Sequence, residues 1–270
     1  MTTKLALPVV KMHGTENTFV VIDERPPRVP MPYPELARRL CAPDGEVGGA
    51  DGLLVVRDAA DATAEMQIFN ADGSRAEMCG NGIRCVARYL AGRGPGDDMT
   101  ISTLAGPIGV RIVAREPFVA CADVGEVHFP GAARLETASA LGAEWTFVDV
   151  SLGNPHAVIF VERTREIDVT ALGIAFNDLE RFERGTNVHV VESVDRSTVR
   201  VRHYERGVGA TQACGTGAVA SAAAAIVLRG AVSPVTVLVP GGTLRVDWTP
   251  GEHARLTGPA ETLFERTIEI

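Results

Sequence analysis

Two short segments hold the residue types best suited to chemistry, Cys79-Gly-Asn-Gly82 and Cys214-Gly-Thr-Gly217, and each runs into a predicted helix, Ile83 to Leu90 and Ala218 to Leu228. A cysteine just before a helix meets exposed backbone N–H groups and about +0.5 of charge, both of which favour thiolate over thiol. The flanking glycines let a carboxylate or carbanion approach the backbone without a Cβ in the way. Taken singly, either cysteine reads as a small buried hydrophobe. Two such loops 135 residues apart, half the chain of 270, point to paired thiols. Disulfide exchange wants its thiols adjacent, and acyl transfer wants one cysteine with a histidine. Symmetric proton transfer remains: one thiolate removes a proton from a carbon and the opposite thiol delivers one to the other face. This chemistry suits inversion of an amino-acid α-carbon, the carbanion being stabilised by helix N-termini in a dry site.

Short polar residues lie near these loops in turn contexts: Asn17, Asn70, Asn81, Asn154, Asn187 and the pair Glu205-Arg206 before Gly207. An asparagine in a turn often serves only its own backbone. Arg206, however, is a natural carboxylate fork and Glu205 a natural acceptor for an ammonium, so the pair reads as a recogniser of a second amino-acid head group, the alternative being a solvated ion pair. His156, after Asn-Pro, is a candidate to polarise a thiol.

Composition narrows the field further. Only two of the 26 basic residues are lysines, Lys4 and Lys11, and neither has a site-like context, which argues against a pyridoxal Schiff base. No cofactor is expected. The five cysteines include no Cys-x-x-Cys pair and no ligand-spaced histidines accompany them, so neither a disulfide framework nor a metal site is signalled. A net charge of −8 gives no attraction to nucleic acid or to an anionic membrane. With no signal peptide or membrane-length apolar run, the reading is a cytoplasmic protein acting on a small molecule.

The elements that must position the cysteines repeat. Strand-like runs at Phe19 to Asp23, Gly52 to Val56, Thr198 to Tyr204 and Val235 to Val239 are bounded by turn residues. Gly14-Thr-Glu-Asn17 leads into the first of these as Gly153-Asn-Pro-His156 leads into Ala157 to Val161. Leu104-Ala-Gly106 and Pro240-Gly-Gly242 follow the two cysteines at nearly equal distances. The helix after Cys214 has no charged residue before Arg229 and is expected to run buried with a sheet around it. The expectation is an α+β fold of two pseudo-symmetric domains, each a curled, mostly antiparallel sheet around a central helix, with the crossover between Glu116 and about Glu144.

Lys11-Met-His-Gly14, Asn17, Phe69-Asn-Ala-Asp-Gly73, Cys79-Gly-Asn-Gly82, Gly153-Asn-Pro-His156, Tyr204-Glu-Arg-Gly207 and Thr211-Gln-Ala-Cys-Gly-Thr-Gly217 together resemble the diaminopimelate epimerase family across nearly the whole chain. The resemblance implies cofactor-independent conversion of LL- to meso-diaminopimelate in lysine and cell-wall precursor synthesis, with Cys79 and Cys214 as the two bases. It implies that Gly80, Asn81, Gly215 and Thr216 hold the reacting carboxylate with Asn17 beside them. Asn70, Asn154, Asn187, Glu205 and Arg206 would grip the distal centre, and His156 and Glu205 would assist the thiols. It implies domains of residues 1–116 with 261–270 and of 117–260, the last strand returning to the first, and is compatible with a homodimer. Two departures are Glu16-Asn-Thr-Phe19, where Gly-Asn-Asp-Phe is usual, and Ala210, where an acid is usual. The alternatives are a racemase of another amino acid, such as histidine, in the same superfamily, which Glu205 and Arg206 argue against, and a non-catalytic amino-acid-binding relative.

Overall fold

A computed structural model describes residues 5–25, 28–94 and 96–270, so that Lys4 lies outside the described residues. The chain divides into two compact units, one reaching Ala122 and including Gly258–Ile270, the other Asp123–Thr257. The first contains β1 (Ala6–Gly14), β2 (Asn17–Asp23), α1 (Tyr33–Leu40), β3 (Gly52–Arg57), β4 (Ala64–Asn70), β5 (Arg75–Ala76), α2 (Gly80–Ala91), β6 (Asp98–Thr103), β7 (Gly106–Arg115) and the start of β8 (Phe118–Glu126). The second contains β9 (Glu136–Ala140), β10 (Ala143–Ser151), β11 (Pro155–Phe160), α3 (Val169–Asn177), β12 (Asn187–Asp195), β13 (Thr198–Glu205), β14 (Gly209–Thr211), α4 (Gly215–Arg229), β15 (Val235–Val239), β16 (Gly242–Asp247) and most of β17 (His253–Pro259). After it, β18 (Glu261–Glu269) pairs antiparallel with β1 in the first unit. Both unit boundaries fall inside strands, β8 and β17, a few residues from the 116/117 and 260/261 breaks read in the sequence.

The repeat is exact enough in topology to be followed pair by pair. In the first unit β2 and β3 are parallel, β3 and β4 antiparallel, β4 and β5 antiparallel, β4 and β6 parallel, and β6 and β7 antiparallel. In the second, β11 and β12, β12 and β13, β13 and β14, β13 and β15, and β15 and β16 follow the same series. Each unit is thus α+β with a mostly antiparallel sheet, as expected from the sequence. The register gives residue equivalences. Phe19 opposes Gly52 as His156 opposes Asn187, and Leu54 opposes Ile68 as His189 opposes His203.

One helix of each pair lines the inside of the curl. α2 packs on β1, β2, β3, β4 and β7, and α4 on β10, β11, β12, β13, β15 and β16. The small residues of α4, Ala218, Ala220 and Ala222 to Ala225 among them, are fully buried, so strands approach it from every side. The other helix of each unit covers the outer face. Leu53 and Val55 of β3 join a core with Leu36 and Leu40 of α1, while Val188 and Val190 of β12 join one with Leu172 and Phe176 of α3. A strand covered on both faces reads as a continuous apolar run, which is what Gly52-Leu-Leu-Val-Val56 shows. The segment read as a crossover carries β8 and β9. Among the described residues no helix is long and apolar enough to cross a membrane.

Candidate active site

Cys79 is the N-cap of α2, extended at φ −143° and ψ 118°, and its Sγ accepts from Gly82 N at 3.4 Å. The hairpin turn Thr15-Glu16, left-handed at φ 52° and 62°, brings Asn17 to it. The Cys79 thiol lies 3.9 Å from Asn17 Oδ1, to which Asn81 Nδ2 donates at 3.2 Å. Asn17 in turn donates to Asp51 Oδ2 at 2.8 Å, and the same carboxylate oxygen accepts from Thr18 N at 2.6 Å and Thr18 Oγ1 at 3.1 Å. Asp51 therefore brings an acid to the segment in which Thr18 departs from the usual pattern.

Arg84 lies one turn into α2, fully buried, and among the described residues it hydrogen-bonds to no carboxylate. Nη1 donates to Gly80 O at 2.8 Å, Nη2 to Asn81 Oδ1 at 2.9 Å and Thr15 Oγ1 at 3.2 Å, and Nε to Pro259 O at 3.2 Å. Burial pushes the guanidinium down to about 10, against which the neighbouring Cys85 and Cys79 thiols act. It stays cationic at neutral pH and fixes the carbonyl of Gly80 and the amide of Asn81. Asn70, by contrast, donates to Ser74 Oγ at 2.9 Å within its own turn.

The second unit builds the counterpart. Cys214 is the N-cap of α4, and its Sγ accepts from Gly217 N at 3.4 Å and lies 3.7 Å from Thr216 Oγ1. Burial pushes the Cys214 thiol well above its ordinary value, and the Glu205 carboxylate, hydrogen-bonded to it, adds to the rise. Thr211 Oγ1 donates to Glu205 Oε1 at 2.6 Å and holds that carboxylate in place. Asn187 donates to Pro155 O at 3.0 Å and accepts from Arg206 N at 3.0 Å, while Arg206 Nη1 donates to Arg184 O at 2.8 Å. Gly173 of α3 lies flat on Tyr204, whose ring occupies the place of any Cβ there.

His156 is buried, with both ring nitrogens occupied. Nε2 is 2.9 Å from Asn154 Oδ1 and Nδ1 is 2.8 Å from His189 Nε2, while His189 Nδ1 is 2.8 Å from His203 Nδ1. Burial, with His203 and Arg206 nearby, lowers His156 to about 3, and burial alone takes His203 to about 3, so these rings are neutral at ordinary pH. The structure thus brings Asn17, Gly80 and Asn81 to Cys79, and Glu205, Gly215 and Thr216 to Cys214. His156 it gives to Asn154 and His189. Thr15, Asp51, Arg84, Thr211, His189 and His203 were not singled out from the sequence. Only the last two left a signal there, as polar residues in otherwise apolar strand positions.

Residues 9–129 and 148–263 match the family profile described as diaminopimelate epimerase. The chain belongs to the diaminopimelate epimerase family. It is 40% identical to the diaminopimelate epimerase of Moorella thermoacetica, over 94% of this chain and 96% of that protein, and 41% identical to that of Desulfitobacterium hafniense, over 97% and 98%. A relative in Methanococcus maripaludis is 37% identical over 96% and 99%. In fold the family member resembles a hydroxyproline epimerase of Agrobacterium vitis (TM-score 0.75, 17% identity, covering 100% of this chain and 93% of that one). It also resembles a Bacillus anthracis PhzF-family phenazine biosynthesis protein (TM-score 0.76, 15% identity, covering 98% and 100%).

Proposed function

We propose that this protein converts LL-diaminopimelate to meso-diaminopimelate without a cofactor, Cys79 and Cys214 acting as base and acid on opposite faces of the reacting α-carbon. The observation that carries the reading is the repeat itself. Two units of one topology each end a loop in a cysteine that caps the central helix, Cys79 before α2 and Cys214 before α4, with a backbone N–H donating to each sulfur. In the forward step the thiolate takes the α-proton, the electron pair remains on carbon, and the opposite thiol gives its proton to the other face. The enzyme is left with the thiol and thiolate exchanged. Cys214, buried and beside Glu205, is the thiol that holds its proton at rest.

In this reading the first-turn N–H groups of both helices, with Gly80, Asn81, Gly215 and Thr216, receive the reacting carboxylate as its α-carbon gains carbanion character. Asn17 supports that end. Asn70, Asn154, Asn187, Glu205 and Arg206 bind the distal amino-acid centre. His156, occupied at both nitrogens, acts through Asn154. The same reading places the enzyme in the cytoplasm, in lysine biosynthesis, and admits a homodimer, which sedimentation would measure.

The test is proton NMR of the purified protein with LL-diaminopimelate in D₂O and a pyridoxal scavenger present. With two bases, each inverted product takes deuterium from the solvent-equilibrated acid, so meso product carries α-deuterium from the first turnover while unreacted LL substrate stays protiated. Return of the original proton to product would mean one base. No turnover of diaminopimelate, with exchange of histidine or another amino acid instead, would overturn the substrate.

A further inference from the structure

We propose that His189 and His203 are positioning residues for substrate: with His156 they form a one-directional hydrogen-bond chain that turns the amide nitrogen of Asn154 outward, toward a carboxylate of the bound amino acid. The proposal rests on the reading in which Asn154 binds substrate.

The fold does not require imidazoles here. The equivalent positions in the first unit are Phe19, Leu54 and Ile68, all buried, and they fill the layer beneath α2 with apolar side chains. Leu54 is what a Cβ on Gly82 would meet, and the His189 ring is what a Cβ on Gly217 would meet. The second unit therefore replaces an apolar layer, in the same place under the cysteine-bearing helix, with three polar rings. Such a replacement costs desolvation unless every polar atom finds a partner.

Counting protons gives the chain its direction. Three neutral imidazoles have three N–H groups, and there are three hydrogen bonds to make. If Asn154 Oδ1 accepts from His156 Nε2, then His156 Nδ1 is bare and accepts from His189 Nε2, and His189 Nδ1 is bare and accepts from His203 Nδ1. Every N–H is used. What remains is His203 Nε2, a buried nitrogen without a hydrogen-bond partner among the described residues. Run the other way, the same three bonds would leave that nitrogen as a buried N–H with no protein acceptor, and orphaned buried N–H groups are the rarer kind. The favoured order thus keeps Asn154 Oδ1 inward. Its Nδ2 has no hydrogen-bond partner among the described residues, and Asn154 is partly exposed, so two N–H donors are left for an anionic oxygen. Reversal would present a carbonyl, which suits an ammonium and repels a carboxylate.

The test uses the full chain labelled with ¹⁵N-histidine. The imidazole spectrum should show protons on His156 Nε2, His189 Nε2 and His203 Nδ1. His203→Leu removes the last donor and frees the order to reverse. It should raise KM for LL-diaminopimelate roughly tenfold, the loss of one hydrogen bond to a charged group, with kcat little changed. His203→Asn places an amide N–H where Nδ1–H stood, and should restore both the spectrum and KM. A wild-type proton on His203 Nε2 overturns the proposal. So does an unchanged KM in His203→Leu once its tautomers have reversed, or a His203→Asn protein as impaired as His203→Leu. Should His203→Leu fail to fold, the wild-type spectrum and the His203→Asn protein still decide. If the wild type turns over no diaminopimelate, the spectrum settles the chain independently and the failure belongs to the functional reading.

Discussion

Arg206 is exposed, its backbone N–H is tied to Asn187 Oδ1, and one arm of its guanidinium is held by the carbonyl of Arg184. A side chain anchored at both ends of its stem loses little freedom when the rest of the fork closes on a carboxylate. Gly185 keeps this geometry open, since at φ 71° it is left-handed and a Cβ there would run into Arg206 Cγ and Cδ. Arg206→Lys retains the charge but gives up the paired donors and the bond to Arg184. KM for diaminopimelate is expected to rise roughly tenfold or more, with kcat little changed and unfolding midpoint unaffected. An unchanged KM would remove Arg206 from the substrate grip. By register the corresponding position in the first unit is Ala71, and there a buried cation, Arg84, braces the cysteine loop instead.

At the scale of the element, the two central helices start alike and tolerate change differently. A Cβ on Gly82 would come within 3.1 Å of Leu54 Cδ2, the movable end of a leucine, whereas a Cβ on Gly217 would fall on the His189 ring, which hydrogen bonds hold at two nitrogens. Gly217→Ala is therefore expected to cost about 1–3 kcal/mol by overpacking, and to lower kcat by shifting the helix turn that Cys214 caps. Gly82→Ala should cost less. Urea unfolding of the two variants compares them, and equal losses would mean that His189 yields as readily as Leu54. Much of this was legible beforehand. The helices after both cysteines, the burial of the alanine-rich one, and the strands at Phe19, Gly52, Thr198 and Val235 follow from period, turn residues and helix caps. α1 and α3 did not show, because each is short and sandwiched between strands whose apolar runs look alike. The histidine chain was hidden for a different reason: His156, His189 and His203 are far apart in sequence, and only the parallel β11–β12 and antiparallel β12–β13 registers bring them together. Asp51 was invisible likewise, its partners Asn17 and Thr18 coming from another element, and so was Arg84, which joins Gly80 and Asn81 of its own helix to Thr15 and Pro259 far away in the sequence.

For the whole molecule, the buried rings and thiols are expected to set the pH range in which the fold is stable. His156 and His203 are lowered to about 3 and His189 is lowered well below its ordinary value, all three mainly by burial. In the unfolded chain each would take up a proton near pH 6.5. A lowered folded pKa gives stability that is fully present above the unfolded value and is lost as pH falls through it toward the folded one. Each histidine then removes about 1.4 kcal/mol per pH unit below 6.5, and the three together about 4. Against a total stability of about 5–15 kcal/mol, that slope would unfold the chain within a few pH units, starting well above the range in which carboxylates titrate. On the alkaline side burial pushes Cys85, Cys41 and Tyr89 up to about 12 and Cys214 upward as well. A raised folded pKa gives stability that is present below the unfolded value, about 8.5 for cysteine, and is lost as pH rises through the folded one. The unfolding free energy should therefore plateau between about pH 6.5 and 8.5 and fall on both sides. Denaturant titrations across pH measure it, and His203→Asn should flatten the acid limb by about a third while leaving the alkaline limb in place. An acid limb that begins only below about pH 4.5, where carboxylates protonate, would show that the three imidazoles do not titrate with folding. A His203→Asn protein with the wild-type acid slope would assign that limb to other groups.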